Sequence, residues 1–284
     1  MRLSARSRAS RTIAAGVAAA ALIATPALVV PSIAPSATAA PTSTVLDEIA
    51  LTGTENTRTF LGYRTADGHL VNQLVIRSDN LSKLTPADQR TLQRRDVRRV
   101  IDLRTALERT IQPNRAVPGA QLVNADILGG LPPTALVDMP GTYRAFVTDP
   151  QARRGFRTAL LDIKSTTAAG HTALFHCTAG KDRTGWTAAV LLTVLGVDRV
   201  SVERDYLASN AFRHTTANDP LNGVNIAWLR ASFATADKVY GSFDNYVRAG
   251  LGLTAADVAS LKKSLLVQPG DYGWTAYTPL TGRR

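Results

Sequence analysis

Residues 172–196 change character twice within one short stretch. An apolar, β-rich run (172–176) leads into a polar loop containing Gly180, and a run of Ala, Val and Leu (184–195) follows, closed by Gly196. This pattern predicts a buried strand, a loop and a helix in direct succession. Three earlier runs, 73–77, 99–103 and 120–124, read as further strands. Between the first two, Thr85-Pro86-Ala87-Asp88 opens a helix running to about residue 95, and 153–167 is another helical pattern. Strands alternating with helices predict an α/β fold, a central mostly parallel sheet flanked by helices. Beyond Val200 the patterns at 200–212, 225–236, 243–249 and 254–267 are all helical, a carboxyl-terminal helical extension of about 200–267. With 45% hydrophobic and 19% charged residues the chain has material for a core, and disorder is excluded.

The amino terminus is of another kind. Arg2, Arg6, Arg8 and Arg11 flank the start of an apolar run from Ile13, and Ala37-Thr38-Ala39-Ala40 supplies small residues for cleavage. Residues 1–40 therefore read as a secretory signal peptide, cut near Ala39 or Ala40, and 41–284 as a single catalytic domain outside the cytoplasm. Gly16 and Pro26 interrupt the apolar stretch, so a retained membrane anchor is the lesser reading and no stable insertion is expected. Loss of four arginines from a stretch without acids takes the net charge from +11 to +7. That charge attracts acidic substrates without naming one. Arg94, Arg95, Arg98 and Arg99 read as a solvated face rather than a nucleic-acid patch. His69, His171 and His214 have no ligand spacing, and neither metal nor cofactor is expected.

The lone cysteine, Cys177, has no disulfide partner and lies at the start of the loop, six residues before Arg183. A strand-to-helix loop can turn the amides of Thr178, Ala179, Gly180, Lys181 and Asp182 inward, the next helix adds its positive end, and Gly180 permits the tight turn. Arg183 offers a planar fork to phosphate oxygens. Such a field favours the thiolate, and a thiolate beneath bound phosphate is a nucleophile. Thr184 is placed to hydrogen-bond the sulfur as leaving group. His176, just before the nucleophile, reads as a support that fixes the loop. Lys181 is either a solvated loop cation or an inward-facing recruiter of polyanions.

The segment His176-Cys177-Thr178-Ala179-Gly180-Lys181-Asp182-Arg183-Thr184-Gly185 resembles the C-x5-R signature of cysteine-dependent protein tyrosine phosphatases, in the form of the secreted bacterial, dual-specificity and phosphoinositide-active group. Asn56-x-Arg58, Arg77-Ser78-x-x-Leu81, Asp102-Leu103-Arg104, Asn124-Ala125-Asp126 and Asp205-Tyr206-Leu207-x-Ser209-Asn210 follow in that family's order, and the resemblance spans about 45–267. It implies a tyrosine phosphatase-like fold and a cysteinyl-phosphate intermediate. Arg58 and Arg104 would support the loop.

A leaving oxygen needs a proton, and three acids compete to give it. Asp126 follows the third strand and precedes Gly129-Gly130-Leu131-Pro132-Pro133, a loop able to swing over the pocket, and the family pattern places the acid there. It stands first. Asp102 suits bracing Arg104, while Asp182 suits water activation or substrate selection. The implied substrate is a phosphorylated protein, on tyrosine and also on serine or threonine, or a phosphoinositide. Alternatives are an inositol polyphosphate phosphatase of the cysteine phytase kind and a non-catalytic phosphate-binding module.

Overall fold

The computed structural model describes residues 47–131, 137–219 and 221–271. The segment 1–40 with its cleavage site, and Pro132 and Pro133, lie outside the described residues. In chain order the elements are β1 (Arg58–Thr59), β2 (Leu70–Val71), β3 (Val75–Ser78), α1 (Pro86–Arg94), β4 (Val97–Asp102), α2 (Ala106–Ile111), β5 (Gln121–Asn124), α3 (Met139–Thr148), α4 (Pro150–Ala168), β6 (Thr172–His176) and α5 (Arg183–Leu195). There follow α6 (Arg199–Phe212), α7 (Ile226–Tyr240), α8 (Phe243–Asn245) running into a π-helical turn (Tyr246–Gly250), α9 (Ala255–Leu265) and β7 (Leu266–Val267).

The main sheet has the order β1-β3-β6-β4-β5, with β1 antiparallel and the other four strands parallel. Because side chains alternate along a strand, Ile76, Val100 and Leu174 bury one face of the sheet against Leu92 of α1. Val75, Ile101, Ala173 and Phe175 bury the other among helices α3 to α9. At roughly 1.5–3 kcal/mol for each large side chain removed from water, these two layers supply the main driving force. Helix α5 lies in the thicker layer with nearly every residue buried, which accounts for its being apolar all round.

Three expectations need correction. Helix α4 starts at Pro150 rather than Arg153, because Asp149 caps it by accepting from the Ala152 amide at 2.8 Å and Pro150 fits the first turn. The carboxyl-terminal segment is not helical throughout: Leu266 and Val267 leave α9 extended and pair antiparallel with β2. Helices α2 and α3 were not anticipated, although Thr105 and Glu108 form a capping box on α2 and Asp138 caps α3.

Parallel strands end together. Ser78, His176, Asp102 and Asn124 are register partners at the carboxyl ends of β3, β6, β4 and β5, so one polar row crosses the sheet at the edge where the loop after β6 emerges. Open parallel sheets place their sites at this edge.

Candidate active site

The loop from Cys177 to Asp182 is held by its carbonyls. Cys177 O faces His176 Nδ1 at 3.2 Å, and Thr178 O accepts from the Asn80 amide at 3.2 Å and its side chain at 3.0 Å. Ala179 O accepts from Asn56 Nδ2 and Arg213 Nη1, both at 3.3 Å, and Gly180 O from Arg77 Nη2 at 2.8 Å and Asn56 Nδ2 at 3.0 Å. The N–H and C=O of a trans peptide point in opposite directions. Tethering four successive carbonyls to surrounding donors therefore turns the amides of residues 178–181 the other way. Among the described residues none of those four amides donates a hydrogen bond. Four successive N–H groups without partners, on the loop that begins at the buried Cys177, are donors suited to an anion. Gly180 sits at φ +66°, and a Cβ there would lie 2.7 Å from Asp79 N and 2.8 Å from Ser78 O.

Two tiers of side chains hold this arrangement. Asp205 of α6 accepts from Arg58 Nε at 3.0 Å and pairs with Arg77 Nη1, joining α6 to the guanidinium that holds Gly180. Arg58 also donates to Asn56 Oδ1, so it reaches the loop through Asn56. All three charges are buried; burial works against the Asp205 carboxylate, yet the two arginines hold its pKa below the ordinary range. At the end of β4, Asp102 accepts from Arg104 Nε at 2.9 Å and Nη2 at 2.7 Å. Asn114 joins Asp102, Arg104 and His176, with contacts of 2.8, 2.8 and 3.2 Å. Burial pushes the His176 pKa down to about 4, so its ring is neutral near pH 7.

Arg183 opens α5 with a buried guanidinium. Its Nη1 and Nη2 donate to Glu108 Oε2 at 2.8 Å and Oε1 at 2.7 Å, and Thr178 Oγ1 donates to the same carboxylate. Burial opposes the Arg183 charge, but Glu108, Cys177 and Asp182 outweigh it and raise its pKa above the ordinary value. Among the described residues Arg183 donates through Nη1 and Nη2, and not through Nε. Lys181 is buried, 2.9 Å from Asp182 Oδ2 and 5.7 Å from the Trp228 ring centroid. It is not the solvated loop cation that the sequence also allowed. Tyr143 donates to Asp182 Oδ1 at 2.9 Å and lies 2.7 Å from the Tyr206 hydroxyl. Burial and the Asp182 charge raise both phenol pKa values, keeping the two hydroxyls protonated.

Two expected residues sit differently from their assigned parts. Thr184 Oγ1 is buried with no hydrogen-bond partner among the described residues, the sulfur included. Asp126 Oδ1 accepts from the amides of Leu128 at 3.0 Å and Gly129 at 2.8 Å, so it shapes its own turn, and among the described residues it has no hydrogen bond to the loop. The Ile127 amide reaches Leu103 O at 3.4 Å, the carbonyl that also lies 3.5 Å from Arg183 Nη1, which sets the Asp126 turn beside the arginine. Asn56, Asn80, Glu108, Asn114, Tyr143 and Arg213 carried no site assignment from sequence. Of these, Asn56 lies in the Asn56-x-Arg58 motif segment and Glu108 left the Thr-x-x-Glu capping pattern. Among the described residues no group of His, Cys, Asp or Glu is placed to hold a metal ion, and no helix is long and apolar enough to cross a membrane.

A family model described as tyrosine phosphatase family matches residues 49–267. A Cupriavidus necator protein named as a tyrosine-protein phosphatase is 32% identical over 258 residues, covering 81% of this chain and 93% of that one. The triple specificity protein phosphatase PtpB of Mycobacterium tuberculosis is 32% identical over 155 residues, covering 45% of this chain and 54% of its own. The crystal structure of TpbA from P. aeruginosa aligns over 74% of this chain and 99% of its own with 14% identity and a TM-score of 0.37.

Proposed function

The chain belongs to the tyrosine phosphatase family, a phosphoric monoester hydrolase by that membership, and we propose that it is exported and transfers the phosphoryl group of phosphotyrosine to Cys177. The observation that carries this reading is the set of four unpartnered loop amides, 178–181, turned to one side by tethered carbonyls beside Arg183. They match the three equatorial oxygens of a phosphoryl group in flight, where charge is spread and fixed donors stabilise it most.

In the first step the Cys177 thiolate attacks phosphorus in line; the S–P bond forms as the bond to the ester oxygen breaks, and that oxygen takes a proton from an acid. Asp126 is our assignment for the acid. Its present hydrogen bonds are to its own turn, so delivery requires the turn to swing toward Arg183. Asp182, ion-paired with Lys181 and hydrogen-bonded by Tyr143, is suited to orienting the water of the second step. That water attacks phosphorus, gives its proton to the same acid, and releases phosphate and the thiolate. The uncommitted Thr184 hydroxyl is free to turn toward the sulfur as it departs.

Phosphoserine, phosphothreonine and phosphoinositides are proposed as further substrates, supported by the name triple specificity that the mycobacterial relative carries. Lys181 gives little support for inositol polyphosphates as the main substrate, since Asp182 already matches its charge. The test is hydrolysis of an aryl phosphate with and without EDTA and vanadate, followed by phosphopeptides and inositol phosphates at one pH. Activity indifferent to EDTA and blocked by vanadate is expected; loss in EDTA contradicts the mechanism. Export predicts a mature amino terminus near residue 40, read by sequencing the secreted protein.

A further inference from the structure

Asn114 lies in the stretch between α2 and β5, far from the loop in sequence, yet it touches three of the polar groups beneath Cys177. Its amide orientation is forced by chemistry. Arg104 Nη2, 2.8 Å from Oδ1, has only hydrogens to offer, and Asp102 Oδ2, 2.8 Å from Nδ2, is a carboxylate already forked by Arg104 and can only accept. One hydrogen of Nδ2 is therefore spent on Asp102. The other faces His176 Nε2 at 3.2 Å.

A neutral imidazole carries a single N–H. With a donor opposite Nε2, the proton belongs on Nδ1, where Cys177 O lies 3.2 Å away to accept it. The other tautomer would set N–H against N–H at Asn114 and a lone pair against the carbonyl oxygen at Cys177. Asp102 Oδ2 does not rescue it, being 3.6 Å from Nε2, beyond hydrogen-bond reach. The charges around the ring are Asp102 and Arg104 at the end of β4 and Arg183 on α5.

We infer that Asn114 is a positioning residue: it locks His176 in the Nδ1–H form, and that N–H holds the Cys177 carbonyl away from the cup so that the Thr178 amide faces the phosphate. This rests on the reading of Cys177 as nucleophile, but the tautomer itself can be read without any turnover.

The experiment is a two-bond 15N–1H correlation spectrum of the full chain near pH 7. His176 is expected with a pyrrole-type Nδ1 and a pyridine-type Nε2, and the reverse pattern in the wild-type protein overturns the inference whether or not the enzyme is a phosphatase. Asn114→Leu, close in shape but without the donor, is expected to show a mixture of tautomers. Its kcat on an aryl phosphate should fall about tenfold with KM within about twofold, and alkylation of Cys177 by iodoacetate should slow. An Asn114→Leu protein that keeps the Nδ1–H form alone, with kcat and alkylation rate unchanged, also overturns it. Should that variant not fold, the wild-type spectrum still decides.

Discussion

Arg183 is held by a carboxylate that competes for the same fork a phosphate uses, so Glu108 has two opposed effects. It fixes the guanidinium in place through two bonds of 2.8 and 2.7 Å, and it occupies one edge of the fork through Nη1 and Nη2, not Nε. The balance favours positioning, because a pre-ordered arginine costs the transition state no rearrangement. Glu108→Ala is expected to lower kcat/KM about tenfold, or about 1.4 kcal/mol. Glu108→Gln keeps the helix cap and should fall between Glu108→Ala and wild type in steady-state kinetics. His176 gives a stability prediction with a definite sign. Its folded pKa of about 4 lies below the unfolded value of 6.5, so on acidification the unfolded chain takes up the proton first. Stability from this group is complete above about pH 6.5 and is lost as pH falls toward about 4, by roughly 3 kcal/mol. Urea denaturation of wild type and His176→Asn at several pH values should show this slope in the wild type alone. Asp102 and Asp205, held below the ordinary carboxylate range, add their loss at the acid end of that window and below it.

The loop after β6 was readable because its information is local: Cys177, Gly180 and Arg183 are close in sequence, and a strand before them with a helix after them fixes their relation. The residues that tether the loop fall in motif segments, Asn56-x-Arg58 and Arg77-Ser78, but which loop carbonyl each one holds was not readable. Asn56 bonds Gly180 from 124 positions away and Arg77 from 103, and no periodicity reports such a meeting. Element ends followed the same division. The Thr85 cap of α1 was predicted from its sequence pattern, whereas α2, with no buried residue, lacks the apolar stripe that reveals a helix. Asp126 shows the limit in the other direction, since the strand end was placed correctly but the carboxylate turned into its own loop. Gly180→Ala tests the loop as an element. A side chain at φ +66° costs about 1–3 kcal/mol, and its Cβ meets the backbone of Ser78 and Asp79 at 2.8 and 2.7 Å. The amides must then turn out of register. Activity should fall at least about a hundredfold while circular dichroism shows the helices retained; near-normal turnover would contradict the cup.

Taken as a molecule, the chain ties its catalytic edge to its helical layer through one buried carboxylate. Asp205 on α6 faces Arg58 on β1 and Arg77 on β3, and Arg77 in turn holds Gly180. Removing that charge leaves two buried guanidiniums facing each other, which costs about 3–5 kcal/mol when one partner of a buried pair is lost. Asp205→Asn should lower the urea midpoint accordingly and reduce activity as well, whereas Arg230→Gln, whose pairing with Glu203 is at the surface, should change stability by less than about 1 kcal/mol. The α/β class follows from strands alternating with helices in the sequence, but the strand order and this cross-layer bracing emerge only once the chain is folded. The central claim is that the Cys177 sulfur itself receives the phosphoryl group. Acid quenching of the wild-type enzyme during turnover of an aryl phosphate, with peptide mass spectrometry, should find phosphate on the Cys177 peptide, and Cys177→Ser should show neither turnover nor that adduct. Undiminished hydrolysis by Cys177→Ser, or phosphate carried on another residue, would contradict the account.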